Sequence, residues 1–319
     1  MSTLMGNPVK IGYLLPTRDQ SLLGRHDMQA FVELARCAEA SGFDSIWAGD
    51  SPVTRPRADP LIVLAAIAQA TERLTLGTAV LLPALRHPIL LAHQLATLDR
   101  LSDGRLIAGM GSGFPNPATR AQYTAMGIDF RTRTDRLVET IHCLRQLWSG
   151  AETTHHGTHF AFRDVRLVPP PTQPGGPPIW LAGAGGPALR RIADFADGWL
   201  PYPVTADAYA NEYGFIEQVA TRPVLPALYA TLCIDDDPEQ ARQRLRQSIE
   251  RYYRAPLETI ASIQALFSGT PGAAAEWLDD YLAAGARHLV IRLIADDPAA
   301  GLAEFVDRVL PLLPKETRP

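Results

Sequence analysis

The chain has 319 residues, of which 46% are hydrophobic and 20% charged, and this composition predicts a globular protein with a large buried core. The formal net charge of -4 excludes the strongly basic surface that nucleic-acid binding requires, so we expect a small-molecule partner and neither nucleic acid nor membrane. Cys37, Cys143 and Cys233 are far apart and odd in number, which indicates no disulfide framework. We expect buried free thiols in a reducing cytoplasm, because residues 1–16 lack the features of a signal peptide.

The first predicted element is a buried strand over residues 11–16, an apolar run that ends at a proline. A loop over residues 17–27 follows, and Asp27 can cap the helix that comes next. The second strand, residues 45–48, continues into a polar, proline-rich loop over residues 51–58. Long loops after barrel strands are typical places for chemistry.

Residues 74–113 organise the rest of the chain. They contain a strand over residues 74–82, a helix over residues 88–101 and a strand over residues 105–110. Two buried strands separated by one helix form a parallel βαβ unit, so both end at the same edge of the sheet, where α/β proteins bind ligands. Small residues at such strand ends either permit a tight turn or let a flat ligand approach the backbone. Here they are Thr78, Ala79, Gly111, Ser112 and Gly113.

The second half of the chain continues the alternation after an interruption. An irregular segment over residues 113–131 and a helix over residues 134–148 precede an insertion over residues 149–177, with a hairpin turn at Gly157. Four more strands are predicted over residues 179–183, 198–202, 224–234 and 289–293. Eight strands alternating with helices predict a single-domain (β/α)8 TIM barrel over residues 1–319, with the insertion after the fourth βα unit. A doubly wound open sheet is the alternative.

Two predicted strand ends carry residues suited to chemistry. Asp50 follows the second strand between Trp47 and Ser51, where a carboxylate either fixes the loop or handles a proton beside a cofactor ring. Gly185 and Gly186 precede the helix after the fifth strand, and the free N–H groups at a helix start bind phosphate.

Other polar residues give weaker signals. Arg55 and Arg57 either hold an anionic tail or lie solvated on the surface. His155, His156 and His159 fall in the insertion, where we expect them to face solvent. No histidine or cysteine spacing predicts a metal site.

Three motifs together resemble the bacterial luciferase-like superfamily of flavin- and deazaflavin-dependent oxidoreductases. They are SGFDSIWAGD at residues 41–50, the long run TERLTLG to GMGSG at residues 71–113, and PPIWLAGAGGPALRRIADFADGW at residues 177–199. The resemblance covers most of residues 9–202, and its middle motif is long and specific.

The resemblance implies a barrel that binds FMN or coenzyme F420 at the carboxyl ends of its strands. It implies a cis peptide between Ala79 and Val80 that supports the cofactor ring. It also implies a phosphate site at Ala184, Gly185 and Gly186, in agreement with the reading of that turn from the residues alone. Relatives form homodimers, so we expect a homodimer here.

The glycine-rich end of the fourth strand, residues 109–113, looks more like the F420 branch of the superfamily. Many members of that branch have a histidine after the acid that ends the second strand, whereas this chain has Asp50-Ser51. Asp50, Trp47 or a residue from another loop takes the place of that general acid, or the substrate needs none. The favoured hypothesis is an F420-dependent oxidoreductase that transfers a hydride between the deazaflavin and a small organic substrate. The alternatives are an FMN-dependent monooxygenase supplied by a separate reductase, and a non-catalytic flavin-binding homologue.

Overall fold

The computed structural model describes residues 8–314, in which eleven strands occur. In chain order they are β1 (Lys10–Leu14), β2 (Ser45–Ala48), β3 (Thr75–Thr78), β4 (Leu106–Met110), β5 (Thr153–His156), β6 (Ala161–Val165), β7 (Ile179–Leu181), β8 (Gly198–Trp199), β9 (Leu225–Ile234), β10 (Leu266–Gly269) and β11 (His288–Leu293). The expected absence of a signal peptide falls partly on residues 1–7, which lie outside the described residues.

Eight of these strands form a closed parallel barrel. Strands β1 to β4 pair in chain order, and β4, β7, β8, β9 and β11 continue the ring until β11 pairs with β1. This closure confirms the predicted TIM barrel and excludes the open doubly wound sheet. Strand β10 was not predicted and is added in parallel to β9.

Helices surround the barrel. They are α1 (Thr17–Leu22), α2 (Gln29–Ala40), α3 (Pro60–Ala70), α4 (Pro88–Leu101), α5 (Pro117–Ala125), α6 (Arg133–Trp148), α7 (Gly186–Phe195), α8 (Ala206–Val219), α9 (Pro238–Tyr253), α10 (Leu257–Ala261), α11 (Pro271–Ala283) and α12 (Pro298–Arg308). Proline at the first position with a capping residue before it explains several starts: Asp59 accepts the N–H of Leu61 ahead of α3, and His87 accepts that of Ile89 ahead of α4.

The structure corrects the sequence prediction in two segments that had been assigned no regular structure. Residues 17–27 contain α1, a helix of six residues that is too short to show a hydrophobic period. Residues 113–131 contain α5, which begins after Asn116, whose side chain accepts the N–H of Thr119. The Asn-Pro start was visible in the sequence, but the helix has a mixed composition because one side faces the cavity described below.

Four predicted strands extend too far: β1 and β7 end two residues early, at Leu14 and Leu181, and the other two differ more. Strand β3 ends at Thr78 rather than at residue 82, and β8 ends at Trp199 rather than at residue 202. The residues beyond these ends stay apolar because they line the cavity or pack beside it: Leu82 joins a small cluster with Tyr123 and Phe130. Apolarity at a strand end therefore reflects burial and not continued strand pairing.

The predicted insertion is confirmed as an antiparallel hairpin followed by a return loop, between α6 and β7. Strands β5 and β6 pair across a turn, and the Glu139 carboxylate of α6 accepts the N–H groups of His159 and Phe160 at the hairpin. The return loop is held by Asp99 of α4, which is fully buried and accepts the N–H groups of Thr172 and Gln173 at 2.8 and 2.9 Å.

The barrel interior below its carboxyl end is filled by side chains. Trp47 and Trp180 lie 5.2 Å apart between ring centroids, and the Trp47 indole N–H donates to Ser45 Oγ at 2.7 Å. That hydroxyl is also 2.7 Å from His288 Nε2, and complete burial lowers the pKa of His288 to about 3. Glycine is needed at residue 77, since a Cβ there would lie 2.1 Å from the Trp47 ring. In the described part of the chain, these side chains fill the interior below the carboxyl end of the barrel.

Several sequence expectations about single side chains change. Cys143 and Cys233 are buried, but Cys37 is exposed on α2 and not buried as expected. His156 is exposed, whereas the side chain of His155 is 14% exposed because it stacks on Phe162 and meets Glu139.

Residues 8–314 contain no group of three or more histidine, cysteine, aspartate or glutamate residues placed to hold a metal ion. No helix in the same range has the length and apolar character needed to cross a bilayer.

Candidate functional site

A cavity opens at the carboxyl ends of the barrel strands and consists of two adjoining lobes. The first lobe has a volume of about 530 Å³ and the second about 540 Å³. Val80, Gly113, Ala182 and Tyr202 line both lobes and therefore mark the boundary between them. A site of this size in a barrel mouth is suited to a small organic ligand beside a cofactor.

The floor of the first lobe is the chain that leaves β3. The Ala79–Val80 peptide is cis, as the resemblance implied, and both residues are half-buried and line the lobe. The Ala79 N–H donates to the carbonyl of Ala48 at 2.9 Å, and the Thr78 hydroxyl donates to the carbonyl of Gly109 at 2.7 Å. Residue 109 must be glycine, because a Cβ would lie 1.9 Å from the Thr78 carbonyl oxygen.

Asp50 holds this floor in place by hydrogen bonds. Its Oδ2 accepts the Leu82 N–H at 2.9 Å and Arg86 Nη1 at 2.5 Å, while its Oδ1 accepts Arg86 Nη2 at 3.1 Å. Burial alone would lower the pKa of Arg86, but the bond to Asp50 outweighs it and raises that pKa. Both carboxylate oxygens are engaged, which favours the loop-fixing interpretation of Asp50 over proton transfer.

The other two predicted catalytic residues also have structural partners. The Ser51 hydroxyl donates to Gln122 of α5 at 2.8 Å and accepts the Arg55 N–H, which fixes the loop over residues 51–58. Trp47 is fully buried in the barrel interior and does not line the cavity. Thr78, predicted to bind cofactor, is likewise fully buried beneath the floor.

The second lobe is a pocket suited to anions. Gly111, Ser112, Gly113 and Ala184 line it, and α7 begins at its edge after Gly185. Free N–H groups and the positive end of a helix favour a phosphate there. A Cβ placed on Gly185 or Gly186 would meet no atom within 4 Å, so the space in front of the helix is open.

Charged side chains complete the second lobe. Arg133 and Arg191 line it, and burial lowers the pKa of Arg191 from its ordinary value. Glu212 of α8 reaches the same point: its Oε1 accepts the Gly185 N–H at 3.0 Å, while its buried Oε2 has no partner among the described residues. The residues present fit a phosphate group, provided that Glu212 releases the Gly185 N–H.

The wall of the first lobe contains residues that the sequence analysis did not single out. Arg18 follows β1, and Tyr252 and Tyr253 end α9. Arg55 and Arg57, which the sequence left between two interpretations, are half-buried in this wall and are not solvated surface residues. The sequence signal that singled out Asp50 was a charged residue directly after a buried strand. The same signal could have singled out Arg18.

Tyr252 lies at the centre of this wall. The guanidinium carbons of Arg18 and Arg292 lie 4.1 and 4.0 Å from its ring centroid, and Arg57 Nη2 donates to its hydroxyl at 3.2 Å. Burial alone would raise the pKa of the Tyr252 phenol, but the charges of Arg57, Arg292 and Arg18 outweigh it and lower that pKa. Tyr202, Tyr229 and Tyr253, which also line the lobe, have raised pKa values because of burial.

Comparison with known proteins identifies the family. The family model for luciferase-like monooxygenases matches residues 9–288. The chain belongs to the luciferase-like family.

Two curated relatives carry names that specify a cofactor. The F420-dependent glucose-6-phosphate dehydrogenase of Kineococcus radiotolerans is 31% identical over 97% of this chain and 98% of that protein. The F420-dependent hydroxymycolic acid dehydrogenase of Mycobacterium tuberculosis is 33% identical over 53% of this chain and 48% of that protein.

Among solved structures, the monooxygenase RslO1 from Streptomyces bottropensis superposes on the chain with a TM-score of 0.81 and 25% sequence identity. The match covers 95% of this chain and 99% of that one. The luciferase-like family therefore contributes both dehydrogenase and monooxygenase relatives, and the chain is an oxidoreductase.

Proposed function

We propose that this luciferase-like chain is an F420-dependent oxidoreductase that transfers a hydride between the deazaflavin and a small organic substrate. The observation that carries the proposal is the open slot at the carboxyl end of the barrel, with the Ala79–Val80 cis peptide as its floor. The name of the relative that is 31% identical over 97% of this chain supports F420 over FMN. When bound, the cofactor supplies the hydride chemistry, and the protein supplies binding and orientation.

The residues around the slot have distinct tasks in this proposal. Ala79 and Val80 support one face of the planar ring, and the substrate contacts the opposite face. Gly111, Ser112 and Gly113 let the cofactor pass from the first lobe to the second. Asp50 and Thr78 act as positioning residues, because each holds the backbone of the floor by hydrogen bonds.

The phosphate of the cofactor is assigned to the start of α7. Arg133 and Arg191 line the second lobe, and the N–H groups of Gly185 and Gly186 lie at its edge, where that of Gly185 is donated to Glu212. Glu212 competes for the same N–H, so its carboxylate lowers the affinity for an anion until it turns away.

The proton that accompanies hydride transfer needs a group at the first lobe. Asp50, Ser51 and Trp47 have their polar atoms engaged by Arg86, Gln122 and Ser45, respectively. We assign the task to the Tyr252 hydroxyl, which lines the lobe. Arg57 donates to its oxygen, which leaves the O–H proton to transfer, and the nearby arginines stabilise the phenolate form.

Titration of the purified protein with F420 and with FMN, followed by fluorescence quenching, tests the proposal. We expect F420 to bind at least tenfold more tightly than FMN and to be reduced or oxidised in a substrate screen. Tighter binding of FMN, with turnover that needs oxygen and a separate reductase, would favour the monooxygenase alternative, which the 25% identity to RslO1 supports. Binding without turnover across the screen would favour the non-catalytic alternative.

We also propose a cytoplasmic homodimer. The helices α3 and α4 pack side by side and expose two large apolar side chains, Ile62 and Leu90, which are 73% and 64% exposed. Exposed apolar surface of this kind marks an interface between copies of a chain. We expect light scattering to give twice the chain mass of 34.8 kDa for the wild type. Ile62→Glu should give a monomer, and Glu276→Lys, on the exposed side of α11, should stay dimeric.

A further inference from the structure

The wall of the first lobe carries an excess of positive charge. Arg18, Arg55, Arg57 and Arg254 line it, whereas Asp50 is the one acidic residue that lines it in the described part of the chain. The Asp50 charge is already paired with Arg86, behind the floor. None of these arginines has an ion-pair partner among the described residues. Arg254 is exposed, but Arg18, Arg55 and Arg57 are buried or half-buried, and a charge withdrawn from water is stable only when it is paired.

Arg18 shows this deficiency most clearly. Its side chain is withdrawn from solvent, with 5% of the residue exposed, and its Nε and Nη1 have no hydrogen-bond partner within residues 8–314. Burial and the charges of Arg57 and Arg55 lower the pKa of Arg18 to about 10, so it is still charged at neutral pH. Stacking on Tyr252 fixes the position of the guanidinium but supplies no acceptor.

Arg57 approaches the same ring from the loop after β2. Its Nη1 packs over Gly49, where a Cβ would lie only 1.9 Å away, and its Nε also has no partner in the described chain. Arg292, on the opposite side of the Tyr252 ring, is in a different situation because Asp19 pairs with it at 2.7 Å. Of the three arginines around Tyr252, Arg292 is therefore paired with a carboxylate, whereas Arg18 and Arg57 have no acidic partner among the described residues.

We propose that Arg18 and Arg57 form an anion-binding site for the substrate, which therefore carries a carboxylate or a phosphate group. That the bound anion is the substrate depends on the proposed function, whereas the anion site itself does not. Planar guanidinium groups bind both kinds of oxyanion by paired hydrogen bonds. Arg254, which lines the lobe and is exposed, attracts such a ligand into it.

The cofactor itself carries an anionic group and is the other source of the same chemistry. The start of α7 with Arg133 and Arg191 is a separate place for it, in the second lobe. The two sources are distinguished by whether substitution of the first-lobe arginines changes F420 affinity.

The experiment measures the thermal midpoint of the full chain, without and with F420, against inorganic phosphate and against benzoate, with sodium chloride at matched ionic strength. We expect a saturable rise in the midpoint with phosphate or benzoate and none with chloride. Arg18→Met keeps the length of the side chain and should weaken the anion effect at least tenfold, and Arg57→Met should do the same. Arg163→Met, on the exposed face of the hairpin, should behave as the wild type.

The outcomes separate the two proposals. Anion binding lost in Arg18→Met and Arg57→Met while F420 affinity stays unchanged supports the substrate site. A parallel loss of F420 affinity in both variants overturns it, because the site would then hold the tail of the cofactor. No saturable effect of either anion on the wild type also overturns it. If the protein binds no F420 but keeps the arginine-dependent anion effect, the proposed function fails and the anion site stands. If Arg18→Met does not fold, Arg57→Met decides alone.

Discussion

Asp50 and Arg86 form an ion pair on which the floor of the cavity depends. The Asp50 side chain is 2% exposed and that of Arg86 is 16% exposed, so the pair is screened little by solvent. We expect Asp50→Asn to cost about 3 kcal/mol of unfolding free energy, because it leaves the largely buried Arg86 with only the more distant Asp59 carboxylate, at 3.5 Å. F420 affinity should fall with it, since Asp50 also holds the Leu82 N–H.

Urea unfolding and a cofactor titration on the same samples measure both effects. Glu304→Gln is the matched control, because its ion pair with Arg308 lies at the surface of α12 and should contribute little. An Asp50→Asn protein with the stability and the F420 affinity of the wild type would contradict the positioning role.

Tyr252 offers a sharper test, because replacement by phenylalanine keeps the ring between Arg18 and Arg292. We expect Tyr252→Phe to reduce turnover about a hundredfold, the usual contribution of a general acid or base, without a change in F420 affinity. Tyr253→Phe, which removes only a bond to Gln264 at 2.9 Å, should retain most activity.

The phenol can also be followed directly by ultraviolet absorbance. The lowered pKa of Tyr252 predicts that the wild type forms one tyrosinate below the ordinary phenol value of 10, and that Tyr252→Phe does not. Activity that requires the phenolate should therefore rise with pH, with its midpoint below that value. An identical tyrosinate titration in the two proteins would exclude this role.

At the level of elements, one buried carboxylate makes several of the hydrogen bonds that hold the return loop of the insertion. Asp99 of α4 accepts two N–H groups of the return loop and also the Gln173 side chain at 2.7 Å. Asp99→Ala should cost roughly 3 kcal/mol, because three donors of the return loop lose a fully buried, charged acceptor. The return loop, residues 166–177, should become sensitive to protease while the barrel stays folded.

Limited proteolysis with urea unfolding checks this expectation. Glu276→Ala on the exposed side of α11 is the control and should change neither measurement. Wild-type resistance of the return loop in Asp99→Ala would mean that other contacts hold the insertion in place.

At the level of the whole molecule, His288 makes the closed barrel sensitive to acid. Its pKa is about 3 in the folded protein and about 6.5 when unfolded, so below pH 6.5 the unfolded chain takes up a proton that the folded chain refuses. Stability therefore falls as the pH falls from 6.5 toward 3. One pKa unit is worth about 1.4 kcal/mol, which predicts a loss of about 2 kcal/mol at pH 5.

Unfolding free energies at pH 7 and pH 5 test the effect. His288→Gln should be less stable at pH 7 but should lose about 2 kcal/mol less than the wild type between the two pH values. His156→Gln, on the exposed turn of the hairpin, should follow the wild type. An unchanged difference in His288→Gln would remove His288 as the cause.

Much of this architecture was available from the sequence. The alternation of apolar runs with helical periods predicted the barrel, and helix α4, which begins with Pro88, was placed at its observed bounds. Short elements were missed, because α1, α10 and β10 have at most six residues each and show no period. That the 319 residues form a single domain stays a prediction.

The small residues at the strand ends and the motif around Ala79–Val80 were determined by local sequence, because backbone conformation and close approach depend on which residue occupies each position. Only the tertiary structure decided what the polar residues do. Asp50 pairs with Arg86, 36 positions away, because β2 and β3 are neighbours in the sheet. Arg18 and Arg57 contact Tyr252 because barrel closure brings the first and last thirds of the chain to one opening. Sequence spacing cannot reveal such neighbours, since contact across a closed sheet depends on the pairing of distant strands and not on separation along the chain.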